Sequence, residues 1–158
     1  MAELLADQIN RKLEQAAGLY NRLILVVAPS GSGKTGALQD VQKRINAPMI
    51  NVNLELSKIM LDLTERQRAL QIPRLLSGIV NSLQSETVLL DNIEILFVVS
   101  LKQDPLRLLQ GLSRNKIVVA TWNGTIDGNH IIYAEPGHSE FKRYAIQDFI
   151  VVGSDTTA

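Results

Sequence analysis

Cysteine is absent from the 158 residues, which excludes disulfides and thiolate metal sites. Histidine occurs twice, at 130 and 138. Two lone imidazoles make no metal site, so His130 and His138 read as ordinary loop or strand-end residues. Aromatics are only 4% of the chain against 46% apolar residues, so a core has to be built from Leu, Ile, Val and Ala. Neither sign of charge is in excess, with 16 basic and 16 acidic side chains. With no basic block and no helix-turn-helix pattern, nothing marks a direct nucleic-acid surface, although a basic face could still arise from how the charges are distributed. No apolar run nears the roughly 20 residues of a membrane span. The run at 93–99 is short and carries Glu94 just inside. The opening MAELLADQIN lacks the basic flank and long apolar stretch of a signal peptide. The expectation is a cytoplasmic protein with no membrane contact.

The length suits one α/β domain over residues 1–158, with a flexible tail at 153–158. Leu5, Ile9, Leu13 and Tyr20 recur at helical spacing, predicting an amphipathic helix within residues 1–20. A single apolar stripe favours packing on its own sheet over docking to a partner. LILVVAP then reads as a strand buried on both faces, followed by a helix from Lys34 to about Ile45. PMINVNLEL reads as the second strand. A helical stretch over 64–84 follows, interrupted or restarted at Pro73. TVLLD is the third strand, and Pro105 suits the first turn of a helix ending at Ser113. KIVVATWNG is a fourth strand stopped by Asn123–Gly124, with a further turn at Asp127–Gly128. HIIYAEPG is a fifth strand. SEFKRYAIQDF reads as a last helix capped by Ser139. This alternation predicts a three-layer αβα sandwich around a five-stranded, mainly parallel sheet, with ligands at the C-terminal strand edge.

Residues 28–35, APSGSGKT, approximate the phosphate-loop pattern G-x-x-x-x-G-K-[ST], with Ala28 in place of the first glycine. The change is mild, because that position ends the strand. Pro29, Ser30, Gly31, Ser32 and Gly33 form the loop. Gly31 and Gly33 let it close into a concave nest of N–H groups without Cβ clashes. The N-terminus of the next helix adds its dipole at the same spot. Lys34 can bridge β- and γ-phosphates, the Thr35 hydroxyl can ligate Mg²⁺, and Gly36 completes the nucleotide contacts. An ordinary Gly-Ser turn before a helix is the competing reading. The strand–loop–helix context argues against it.

Asp91, at the tip of the apolar strand TVLLD, can hold Mg²⁺ with Thr35. Alone it would read as a turn residue. Many ATPases of the additional-strand class follow this Asp with a glutamate that polarises water, and here Asn92 stands there. Glu94 is the nearest carboxylate and could reach back if the chain turns after Asp91. It could equally be a solvated residue. Glu55 is a weaker candidate base. Thr121 and Asn123 sit where a polar residue would touch the γ-phosphate or the attacking water, unless Asn123–Gly124 is only a turn. Trp122 reads as a packing residue. Arg114 could act in trans as an arginine finger, or be a surface arginine at a helix end. Lys142 and Arg143, on the expected last helix, are further candidates.

NVNLELSKIMLDLTERQRALQIPRLL, LLDNIEILF and DPLRLLQGLSRNKIVVATWNG, in this order over nearly the whole chain, resemble BrxF, the small P-loop protein of type 3 bacteriophage-exclusion (BREX) systems. The resemblance implies an AAA+-like component of an antiviral defence complex that uses ATP and Mg²⁺. Its implied partners are further copies of itself, a second ATPase, a DNA methyltransferase and an alkaline-phosphatase-like protein. DNA would be reached through that assembly. Too few residues follow the fifth strand for a helical lid domain, so the expected core lacks one and a lid-driven ring mechanism is in doubt. The remaining alternatives are a nucleotide-binding scaffold deficient in hydrolysis, argued from Asn92, and a small-molecule kinase, argued against by the lack of an arginine-rich lid.

Overall fold

The strand at 23–28, LILVVA, is apolar and buried at every position because both faces of its sheet are covered. The structure, a computed structural model, describes residues 4–153. Helix α1 (Leu5–Ala17), strand β1 (Leu23–Ala28) and helix α2 (Lys34–Ile45) come first. Strand β2 (Met49–Asn51), helix α3 (Val52–Met60), helix α4 (Glu65–Asn81) and strand β3 (Thr87–Asp91) follow. Two 3-10 turns, Glu94–Phe97 and Val99–Leu101, lead into helix α5 (Pro105–Leu112). The chain ends in strands β4 (Ile117–Asp127), β5 (His130–Tyr133), β6 (Lys142–Ala145) and β7 (Ile150–Gly153). Five strands run parallel in the order β2-β3-β4-β1-β7. The fold is the expected αβα sandwich, with β4 inserted between β1 and β3.

Strand parity sets what each face buries. Leu23, Leu25 and Val27 of β1, with Val88 and Leu90 of β3, face α3, α4, α5 and the 3-10 turns. Ile24, Val26, Leu89 and Val119 face α1 and α2. Helix α1 packs on its own sheet through Ala6, Ile9 and Ala16, as its single stripe implied.

Several elements differ from the sequence reading. Strand β2 stops at Asn51, whose side chain accepts the Leu54 N–H and caps α3. Val52, Leu56 and Met60 then recur four apart and are buried, a helical spacing inside what reads as an alternating strand. Helix α4 runs unbroken through Pro73. Proline removes the N–H that would pair with the carbonyl four residues back. That carbonyl belongs to Ala69, and the Gln103 side-chain amide donates to it at 2.7 Å. Gln103→Ala should therefore lower stability by about 1–3 kcal/mol by orphaning the carbonyl, measurable as a shifted urea midpoint.

Strand β4 does not stop at Asn123–Gly124. It continues to Asp127 and turns at Gly128 into antiparallel β5. β5 is therefore not a fifth parallel strand; that position is filled by β7. The segment expected as a last helix contains β6, antiparallel to β5. Lys142 and Arg143 are thus strand residues, and Ser139 caps no helix. Burial alternates along β6, with Tyr144 packed against Trp122 at 5.9 Å and donating its hydroxyl to Asp104. Of the expected tail, Gly153 ends β7, and 154–158 lie outside the described residues, as do residues 1–3 of the expected N-terminal helix region.

Candidate functional site

The phosphate loop joins the C-terminal end of β1 to the N-terminus of α2. Gly31 and Gly33 hold φ of 81° and 90°, the left-handed region. A Cβ on either would meet no atom within 4 Å, so their requirement within this chain is conformational and not, as expected, steric. The Ser32 hydroxyl donates to the Pro29 carbonyl. Lys34, 6% exposed, donates from Nζ to the Ala28 and Pro29 carbonyls at 2.9 and 2.8 Å. Burial pushes its ammonium below the ordinary lysine value, and the nearby Glu94 and Asp91 carboxylates pull it back.

Asp91 shares strand parity with Leu89, and Thr121 with Val119, so both point toward α2. Asp91 accepts from the Thr35 hydroxyl at 2.6 Å and from the Thr121 hydroxyl at 2.8 Å. Thr121 is 1% exposed. It buttresses Asp91 from below and does not line the cleft, whereas Asn123, two residues on, does.

Asn92 has φ of 52°. Asparagine tolerates this left-handed conformation better than glutamate, which gives a physical reason for the missing acidic residue. The Asn92 carbonyl accepts the Asn53 N–H at 2.8 Å, and the chain turns back through Ile93 into the 3-10 turn. Glu94 is thereby returned to the loop. Its two oxygens accept from Asn53 Nδ2 at 3.1 Å and Asn123 Nδ2 at 3.0 Å. Asn53 Oδ1 in turn accepts the Ile95 N–H at 2.7 Å. Asn53 was absent from the sequence candidates because its segment reads as strand. Reading Asn51 as a helix cap would have moved Asn53 into a first helical turn beside the loop.

Ser30, Gly31, Gly33, Lys34, Thr35, Asp91, Asn92, Glu94 and Asn123 line one cleft of about 320 Å³. The other sequence candidates fall outside it. Glu55 lies on α3, paired with Lys58 at 3.4 Å. Arg114 is exposed, with its guanidinium over the Tyr20 ring at 5.5 Å. It precedes β4, so the strand's length, roughly 20 Å, separates it from Asn123. Arg143 is exposed on β6. Trp122 is fully buried against Phe97 and Tyr133 and donates Nε1–H to the Ile132 carbonyl, the packing role expected of it. Burial and the Glu94 and Glu140 charges push the Tyr133 phenol up to about 12. His138 Nδ1 accepts the Glu140 N–H in a loop.

A hydroxyl and a carboxylate 2.6 Å apart beside a backbone nest suit a magnesium ion that takes its other ligands from phosphates and water. Among the described residues no group of three or more His, Cys, Asp or Glu could hold a metal alone.

With its strand order and its loop at the β1 edge, the fold is a P-loop, AAA+-like core. The chain is similar to the crystal structure of a DNA replication initiation factor, at a TM-score of 0.54 and 16% identity, over 94% of this chain and 44% of that one. It also matches PCH-2 of C. elegans, at a TM-score of 0.44 and 18% identity, over 98% of this chain and 41% of that one. The chain spans less than half the length of either. No family model and no curated protein matches. Among the described residues no helix is long and apolar enough to cross a membrane.

Proposed function

We propose that the chain binds a magnesium–nucleoside triphosphate, ATP by its resemblance to BrxF, and hydrolyses it. The observation that carries this reading is the Glu94 carboxylate. Two amide donors from different elements orient it in the same cleft as Lys34, Thr35 and Asp91. An oriented carboxylate beside a phosphate nest is what general-base activation of water requires.

The loop N–H groups and Lys34 hold the β- and γ-phosphates. Thr35 and Asp91 are the magnesium ligands, and the ion, when bound, neutralises phosphate charge. Thr121 keeps the Asp91 carboxylate turned toward Thr35. Asn123 orients both Glu94 and the γ-phosphate end. Glu94 takes the proton of the attacking water. The scaffold alternative relied on Asn92, whose backbone conformation supplies a separate reason for its presence.

On the sequence resemblance alone, we extend the proposal to a BrxF-like role in phage exclusion in the cytoplasm. The chain would act as an oligomer with the second ATPase, methyltransferase and phosphatase-like partners, and reach DNA through them. Arg114, exposed and remote from its own cleft, would serve only from a neighbouring copy.

The test is Mg²⁺-dependent ATP turnover across a protein concentration series, with Lys34→Ala as control. Turnover per molecule should rise with concentration, vanish in Lys34→Ala and lose its concentration dependence in Arg114→Ala. Nucleotide binding with no turnover at any concentration would sink the hydrolytic reading for the isolated protein.

A further inference from the structure

Asn53 and Asn123 hold the Glu94 carboxylate at its oxygens, but its backbone rests on the short 3-10 turn Glu94–Phe97. Such a helix has about three residues per turn, so side chains three apart eclipse one another. Phe97 therefore lies on the same edge of the turn as Glu94. Its buried ring stacks on Tyr133 of β5, with centroids 3.5 Å apart and planes inclined by 12°. Trp122 meets both rings edge-on, at 5.1 Å from Phe97 and 6.1 Å from Tyr133. Trp122 also immediately precedes Asn123, which donates to Glu94. One aromatic trio thus supports the segment that carries the carboxylate and the strand that carries one of its two donors.

The trio closes because Gly124, opposite Tyr133 in the β4–β5 pair, has no Cβ to hold β5 away. Burial pushes the Tyr133 phenol up, and the Glu94 charge adds to the push, so the carboxylate lies within electrostatic range of the phenol. From this geometry we infer that Tyr133 is a positioning residue for hydrolysis: its ring, acting through Phe97, fixes the 3-10 turn that aims the Glu94 carboxylate at the attacking water. The β4–β5 hairpin is then part of the hydrolytic apparatus as well as of the core. The phosphate grip is separate, because the loop, Lys34 and Thr35 belong to the β1–α2 connection. A tilt of the turn moves the base and leaves that grip in place. A displacement of about 1 Å at a reacting group is enough for a loss on the order of 10²-fold.

The inference rests on Glu94 being the general base, and the experiment separates the two. Hydrolysis of Mg²⁺–ATP is measured on the full chain, in steady state and in single turnover, and ATP affinity is read by calorimetry. The variants are Tyr133→Leu and Tyr133→Phe, each also in a Glu94→Gln background. Phe97→Leu, which breaks the same stack from the turn side, carries the same expectation as Tyr133→Leu and is measured alongside it. For Tyr133→Leu the expected result is a kcat lower by about 30-fold, with KM and ATP affinity within about twofold of the unmodified chain. Tyr133→Phe keeps the ring and should recover kcat to within about threefold. In the Glu94→Gln background Tyr133→Leu should cost less than about twofold more, because the group it positions is already gone. An undiminished kcat in both Tyr133→Leu and Phe97→Leu, or a loss of the same size in both backgrounds, would overturn the positioning role and leave Glu94 in the chemistry. A defect in Tyr133→Phe as large as in Tyr133→Leu would also overturn it, since the ring alone is held to act. Turnover unaffected by Glu94→Gln would overturn the general base and this inference together.

Discussion

Glu94→Gln should cut ATP turnover by about 10²–10⁴-fold, the range a positioned general base contributes, and leave nucleotide affinity nearly unchanged. The physical reason is the division of labour in the cleft. In the proposed reading the phosphates meet backbone N–H groups and Lys34, whose hydrogen bonds go to the Ala28 and Pro29 carbonyls and not to Glu94. Among the described residues the Glu94 oxygens accept from the Asn53 and Asn123 amides, which orient the carboxylate. The amide of glutamine can accept from one asparagine but cannot take a proton from water at neutral pH. Its NH₂ also opposes one of the two donors, so some loss of order at position 94 accompanies the loss of basicity. Single-turnover hydrolysis separates the steps, because nucleotide binding is read independently of bond cleavage. A variant that hydrolyses at the original rate would remove Glu94 from the chemistry. Tighter retention of ATP with slow cleavage is the expected signature. Asn53→Ala should fall between the two, since Asn123 still holds one oxygen and the carboxylate survives.

The largest expected effect on stability comes from Gly124→Ala. A Cβ at position 124 would stand 1.8 Å from the Ile132 carbonyl oxygen and 2.9 Å from its carbon, both backbone atoms, and 3.1 Å from Trp122 Cδ1. Neither β5 nor the fully buried indole can yield cheaply, because the Ile132 carbonyl also accepts the Trp122 Nε1–H. Phe97, stacked on Tyr133 and edge-on to Trp122, ties this packing to the 3-10 turn that begins at Glu94. Overpacking at such a site should cost about 3 kcal/mol, read as a lowered denaturation midpoint. Gly111→Ala is the matching control: no atom lies within 4 Å of its Cβ, and it sits inside α5, where alanine is favoured by up to about 1 kcal/mol. Similar midpoints for the two variants would refute the close approach of β5. Because β4 also carries Asn123, Gly124→Ala should disturb turnover too.

The phosphate loop was legible because its requirements are local. Two glycines at left-handed positions, a lysine and a threonine follow one another within a few residues, between an apolar run and a helix. Helix α5 was legible for a similar reason, since Pro105 announces its first turn; the structure adds Asp104 as its cap. The strand status of residues 142–145 was hidden. Their alternation is short and weak, and what selects the strand is pairing with β5 and the contact of Tyr144 with Trp122 and Asp104. Gly124 was misread because a glycine after asparagine has the same local appearance whether it turns the chain or admits a neighbouring strand.

Residue order alone therefore determined the alternating layers, the position of the phosphate loop and the two magnesium candidates, Thr35 and Asp91, because each follows from near-neighbour spacing or from continuous apolarity of a strand. Only the tertiary structure decided which of the remaining polar residues meet. Glu94 and Asn53 are 41 residues apart, and Glu94 and Asn123 are 29 apart. They converge because β4 lies between β1 and β3 and because one left-handed residue, Asn92, turns the chain back. Strand order and a single reversed φ are set by the packing of the whole sheet against its helices, and no local window of sequence contains that information.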